Sequence, residues 1–226
     1  MAIIELLNQP TTLYRYRSLG DAARTKRELD ALEKRELHFS ILEKLNDPME
    51  GLSRRSLGFR KKDIDKKTFD KIVTLREKVG ICSFSDTFKN TAMWAHYSDQ
   101  CSGICIGYRT ASLLNGLDDQ YSLVRIQYVD SSPMLTSEDA KDNSRSARKL
   151  LSFKNDGWQY EREWRLLSDK KGLARVSSPD CISSIRMGFN IEKRHQDAIK
   201  KLFAKSKKTA LYLMDVRGYQ LRWDEI

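Results

Sequence analysis

Trp158-Gln-Tyr-Glu-Arg-Glu-Trp-Arg-Leu-Leu167 is the stretch from which the fold reads outward. Side chains two apart on a strand share a face. Read as a strand, the stretch turns Glu161 and Glu163 to one side and Trp164 and Leu166 to the other, apolar side. Two carboxylates on one face raise each other's pKa and can act on a sugar hydroxyl or a cationic transition state. The plainer alternative is an edge strand whose acids pair with Arg162 and Arg165.

Further short β-prone runs surround it: Thr11–Arg17, Glu36–Ser40, Ile81–Ser85, Gly103–Tyr108, Leu123–Val129, Cys181–Phe189, Thr209–Asp215 and Tyr219–Trp223. Three helices are expected between them. One follows a capping box with Ser18 as N-cap and Asp21 at its third position, and buries Ala22, Leu29 and Leu32. One lies within Thr87–Ser98. One spans Ile191–Lys205, with Ala198, Ile199, Leu202 and Phe203 at helical spacing. Interspersed helices among more numerous strands predict an α+β fold. The expectation is a single domain over 1–226. Two stretches stand apart: a basic helical insertion at 53–78, expected to be exposed, and a polar stretch at 131–149 read as a mobile loop or helix.

The 226 residues are 40% hydrophobic, enough for a core, and no apolar run approaches the roughly 18–20 residues that span a bilayer. The opening Met1-Ala-Ile-Ile-Glu-Leu-Leu7 has an early carboxylate and no basic start, and reads as mature sequence rather than a leader. A formal charge of +10 favours polyanionic partners: nucleic acid, a nucleotide or an acidic protein face. The four cysteines form no C-x-x-C pair, which fits the reducing cytoplasm. Cys101, Cys105 and His96 make a poor zinc set without a second cluster.

Other blocks carry candidate chemistry. Arg15 and Arg17 share the face of Thr11–Arg17 opposite Tyr14 and Tyr16, and guanidinium forks suit a diphosphate. Ser83 and Ser85 share the face opposite Cys82 and Phe84. Trp94 and Tyr97, three apart on a helix, offer rings for stacking or for the core. Asn46-Asp47-Pro48 marks a turn, from which Asp47 or Glu50 reaches a pocket or simply caps backbone N–H groups. No Gly-rich phosphate loop, HExxH or GxSxG motif is present.

Taken together, LYRYRS at 13–18, ELHFS, LNDPMEG at 45–51, CSFS, MWAHYSD-x-C-x-G-I-C-I-G-Y and W-x-Y-E-x-E-W-R resemble the bacterial domain-of-unknown-function family twenty-nine-seventy-one. Members of that family occur among phage-defence and abortive-infection proteins. A more distant resemblance is to ADP-ribosyltransferases. These carry an Arg or His on an early strand, a Ser or aromatic on a middle strand, and a catalytic Glu opening a late strand. Leu13-Tyr14-Arg15, Ser83 or Ser85 with Tyr97, and Glu161-Arg162-Glu163 match those parts in order.

The resemblance implies a transferase-like fold, with a split, bent, mainly antiparallel sheet and flanking helices, and it implies that NAD is the substrate and no metal is needed. Glu163 would stabilise the ribose oxocarbenium ion, and Glu161 would orient the acceptor. Arg15, with Arg17, would hold the diphosphate, Ser83 or Ser85 would line the site, and Trp94 or Tyr97 would stack on a ring. The implied role is a toxin or defence effector, with a nucleic-acid acceptor and an antitoxin or regulatory partner. Glu163→Gln is expected to leave the protein folded. Two other readings stand beside it: a non-enzymatic, antitoxin-like binding module, and a metal-dependent nuclease built on Asp47, Glu161 and Glu163.

Overall fold

A computed structural model describes residues 9–55, 64–118 and 121–226. The opening Met1–Leu7 segment and residues 56–63 of the basic stretch lie outside the described residues. In chain order the elements are β1 (Thr12–Arg17), α1 (Ala22–Lys34), β2 (Glu36–Phe39), β3 (Arg54–Arg55), α2 (Lys66–Arg76), β4 (Gly80–Ser85), α3 (Thr91–Tyr97), β5 (Ile104–Arg109), α4 (Thr110–Asn115), β6 (Tyr121–Arg125), β7 (Gln127–Val129), β8 (Met134–Leu135), α5 (Asn143–Leu150), β9 (Phe153–Asn155), β10 (Glu163–Ser168), β11 (Gly172–Arg175), β12 (Ile182–Met187), α6 (Lys193–Phe203), β13 (Ala210–Arg217) and β14 (Gln220–Glu225). The class is α+β, with a mainly antiparallel sheet and flanking helices. Among the described residues, no helix is long and apolar enough to cross a membrane.

The residues group into two compact units. The first comprises Met1–Leu37, Phe84–Asp118 and Arg175–Ile226; the second comprises His38–Ser83 and Asp119–Ala174. In the first unit the strands run β14-β13-β12-β5-β1, with the end of β4 beside β1. Pairings are antiparallel except β12 with β13, which run parallel because α6 carries the chain from one to the other. Strand β5 is apolar on both faces, as a central strand must be. Helix α6 buries His195 and Ile199, four apart, on the stripe its spacing foretold.

Helix α1 begins one residue after Asp21, which is itself the cap: its carboxylate accepts from the Arg24 N–H at 2.8 Å. Ser18 therefore lies outside the helix. The buried face of α1 carries Thr25, Glu28 and Leu32 rather than Ala22 and Leu29. Glu28 is buried because it meets Arg17, so an ion pair fixes the rotation of this helix.

In the second unit, β6, β10 and the start of β4 are neighbours. The two stretches that stand apart in the sequence fold against each other here. Ile64 and Ile72, from the basic stretch, share a core with Leu135 and Ala147 from the polar one and with Leu150 just after it. Within the basic stretch Arg54–Arg55 form a short strand against β8, and Lys66–Arg76 form a helix with one buried face whose Lys66, Lys67 and Lys71 remain exposed. Asp65 and Asp142 cap α2 and α5, accepting backbone N–H groups at 2.9 Å.

Candidate functional site

The chemistry-bearing residues of the second unit gather around Lys154 and Arg165. The Asn46-Asp47-Pro48 turn starts the assembly: Asp47 accepts the Met49 N–H at 2.9 Å, and Glu50 leaves the turn pointing inward. Gly51 follows at φ +71°, a conformation that spares the chain a side chain against Leu42. Residues 156–161 form a 3-10 turn, not the start of a strand. Arg162 then adopts the left-handed conformation, and β10 opens on Glu163. Glu161 and Glu163 therefore do not share a strand face; the turn brings both to the same ammonium group by another route.

That ammonium, Lys154 Nζ, lies 2.6 Å from Glu161 Oε2, 3.3 Å from Glu163 Oε2 and 3.8 Å from Glu50 Oε2. Arg165 closes the ring. Its Nε and Nη2 donate to the two oxygens of Glu163 at 2.7 and 2.8 Å, a bidentate fork. Its Nη1 donates to Glu50 Oε1 at 2.8 Å and to the Leu151 carbonyl at 2.9 Å. The Glu163 N–H donates to the Tyr128 hydroxyl at 2.7 Å. All five charged side chains are buried, Arg165 to 1% exposure and both Glu161 and Glu163 to 4%.

Three carboxylates against two cations leave one negative charge uncompensated within the ring. Glu50 Oε2 has no hydrogen-bond partner. Burial by itself would push the Glu163 carboxyl up. The charge and hydrogen bonds of Arg165, the charge of Lys154 and a hydrogen bond with Ser83 outweigh burial and hold it down to about 2. The mutual raising expected of two neighbouring acids is thereby overturned for Glu163, because cations stand between and beside them. For Lys154 burial pulls down, but Glu163 and Glu161 prevail and raise its pKa.

Beside the ring opens a pocket of ≈ 200 Å³, with Lys154, Asn155, Met49, Leu52, Phe153 and Asp130 among its lining residues. Lys154 is common to the ring and the pocket wall. The Trp158 ring lies 4.9 Å from its ammonium.

Of the candidates read from sequence, Ser83, Glu161 and Glu163 belong to this unit, and Ser83 reaches Glu163. Arg15, Arg17, Ser85, Trp94 and Tyr97 belong to the first unit. There, Arg17 is committed to Glu28 through Nε at 2.7 Å and through a second contact from Nη2. Arg15 adds its charge to the set that lowers the pKa of Glu28 against the opposing effect of burial. Ser85 is buried and accepts the Thr87 N–H at 3.2 Å. Trp94 is fully buried, donates to the Phe88 carbonyl at 2.8 Å, and packs on Tyr16 and Trp223. It is a core residue with no face left for a ligand. Tyr97 is half-buried, its ring 6.3 Å from that of His96.

Sequence reasoning missed Lys154 and Tyr128, and it treated Arg165 only as a surface partner. A signal for Arg165 existed, because Glu-x-Arg on one strand places acid and base on the same face. None existed for Lys154, which reaches the ring from β9.

Residues 93–166 match the family model Protein of unknown function (DUF2971). That segment runs from α3 through Glu161, Glu163 and Arg165, so it includes most of the ring, while Glu50 and Ser83 precede it. No curated protein and no solved structure matches the chain.

Proposed function

We propose that the protein is an NAD-dependent ADP-ribosyltransferase, a toxin or phage-defence effector of the cytoplasm whose acceptor is nucleic acid. The observation that carries the reading is Glu163. It opens β10, as the transferase resemblance requires of the catalytic acid, and it is ionised and held by Ser83 from the middle strand β4. Cleaving the nicotinamide–ribose bond builds positive charge at C1′ of the ribose. A carboxylate fixed in its ionised form binds the neighbouring 2′-hydroxyl more strongly as that charge grows, which lowers the barrier.

The 3.3 Å contact with Lys154 is longer than either bond to Arg165, so it is the one a ribose hydroxyl would exchange. Glu161, hydrogen-bonded to the same ammonium, would orient the acceptor. Arg15 is assigned to the diphosphate by resemblance alone. The exposed lysines of α2 supply charge for a polyanionic acceptor.

The test is nicotinamide release and acid-stable label from biotinylated NAD in lysate, with separate RNase, DNase and protease digestion. Wild type should release nicotinamide, and the label should be RNase- or DNase-sensitive. Ser83→Ala should cut turnover about 10-fold or more by loosening Glu163, while the fold persists, since one hydrogen bond is worth only about 1 kcal/mol. No release by wild type with any acceptor would end the transferase reading.

One observation favours a second reading, a non-enzymatic binding module: Glu163 is buried and doubly paired with Arg165, as a purely structural ion pair would be. A nuclease has less in its favour. Lys154 already sits where a metal would bridge Glu161 and Glu163, and no three His, Cys, Asp or Glu side chains are placed to hold a metal ion among the described residues.

A further inference from the structure

The first unit carries a second concentration of chemistry, on one face of its sheet. Register places Tyr16, Cys105, Arg186, Tyr212 and Glu225 in one row across β1, β5, β12, β13 and β14. Tyr14, Gly107 and Ser184 form the next row. Gly107 is required there: a Cβ would come within 2.5 Å of Ser184 Oγ and 3.2 Å of the Tyr14 ring. Its absence lets both side chains lie over the centre of the sheet.

Arg186 stands in the middle of this face and is held by rings. Its guanidinium carbon lies 3.7 Å from the centroid of Phe88, 4.7 Å from Tyr212, 5.5 Å from Tyr14 and 6.0 Å from Trp223. Nη1 donates to Ser184 Oγ at 2.6 Å, and Nε has no hydrogen-bond partner. Among the described residues no carboxylate pairs with it. Glu225, at the outer end of the row, makes no ion pair with it. Rings stabilise a guanidinium without neutralising it, so a full positive charge remains on a half-exposed aromatic face. Lys89 adds a second cation at the rim, 5.7 Å from the Phe88 centroid.

We propose that this face binds single-stranded nucleic acid, with a phosphate on Arg186 and unstacked bases against the surrounding rings. An uncompensated guanidinium selects an anion, and flat rings beside it select an anion that carries a planar group. Bases of a single strand are free to stack where those of a duplex are not. The inference stands apart from the transferase reading, because binding is measured without NAD. A protein that holds the strand yet releases no nicotinamide would end that reading and leave this one intact.

The experiment is fluorescence polarisation with labelled 12-mer oligouridine and its duplex counterpart, across a salt series. Wild type should prefer the single strand. Arg186→Gln should weaken binding about 10-fold or more and lower the salt slope by about 0.7, the share of one phosphate contact. Tyr212→Ala should weaken it about 5- to 100-fold with the slope unchanged, as lost stacking does.

If Arg186→Gln melts early, two measurements replace it: Lys89→Glu at the exposed rim, and the Arg186 Nε–H resonance of wild type on titration with the oligomer. A weaker Lys89→Glu and a shifted resonance support the site. No binding by wild type, a folded Arg186→Gln with unchanged affinity and slope, or an unmoved resonance would overturn it. So would tighter binding of an acidic phosphopeptide than of the oligomer.

Discussion

Glu163 links charge to stability more directly than any other side chain in the second unit. Its carboxyl is depressed from 4.5 to about 2 in the fold. A depressed acid contributes stability above its unfolded pKa and loses that contribution as pH falls through the folded one. The window is therefore pH 4.5 down to 2, and the loss is on the order of 3 kcal/mol. Urea midpoints between pH 6 and 2 should fall steadily across that window, and a flat profile would show that Arg165 and Lys154 do not hold the charge.

The same ring corrects the expectation that Glu163→Gln is benign. Removing one partner of a buried pair costs about 3–5 kcal/mol, because Arg165 is left without its fork. Urea denaturation of Glu163→Gln and Arg165→Met should show large single losses, and the double variant should lose much less than their sum. Additive losses would mean the two side chains do not act as a pair. The acids of the ring were visible in Tyr160-Glu-Arg-Glu-Trp164, but the base at 154 was not. Strand periodicity reports which side chains share a face on one element, and it is silent about a lysine arriving from another.

At the scale of elements, the sequence was most legible where burial is apolar. Strands β1, β4, β5, β12, β13 and β14 and helix α6 fall within a few residues of their patterns. It was least legible where polar groups face inward. Helix α1 turns Thr25 and Glu28 to the core, a rotation that hydrophobic spacing cannot find. Helices α2 and α5 were obscured for the opposite reason: each is so basic that its single buried stripe looks incidental. Ile72 and Leu150, both fully buried, are the centre of their contact. Ile72→Ala should destabilise the protein by about 2–5 kcal/mol, the usual penalty for a buried cavity, as read from a thermal or urea melt. A loss under about 0.5 kcal/mol would return the stretch to the status of a solvated appendage.

Across the whole molecule, the chain visits the first unit three times and the second twice. A truncation after Ala174 keeps every residue of the second unit but strips β12, β13, β14 and α6 from the first. Strand β5 would then lose its β12 partner and present an apolar open edge. The truncated protein should be insoluble, or soluble only as aggregates by size-exclusion chromatography. A monodisperse product would mean that the remaining strands suffice. The passage from one unit to the other in β4 falls between Ser83 and Phe84, within a single six-residue strand and not in a linker. For anyone recombining genes of this kind, that strand has no silent seam. A crossover there joins the serine that touches Glu163 to a foreign half-strand, so chimeras exchanged at residue 83 should fail more often than those exchanged at residue 118.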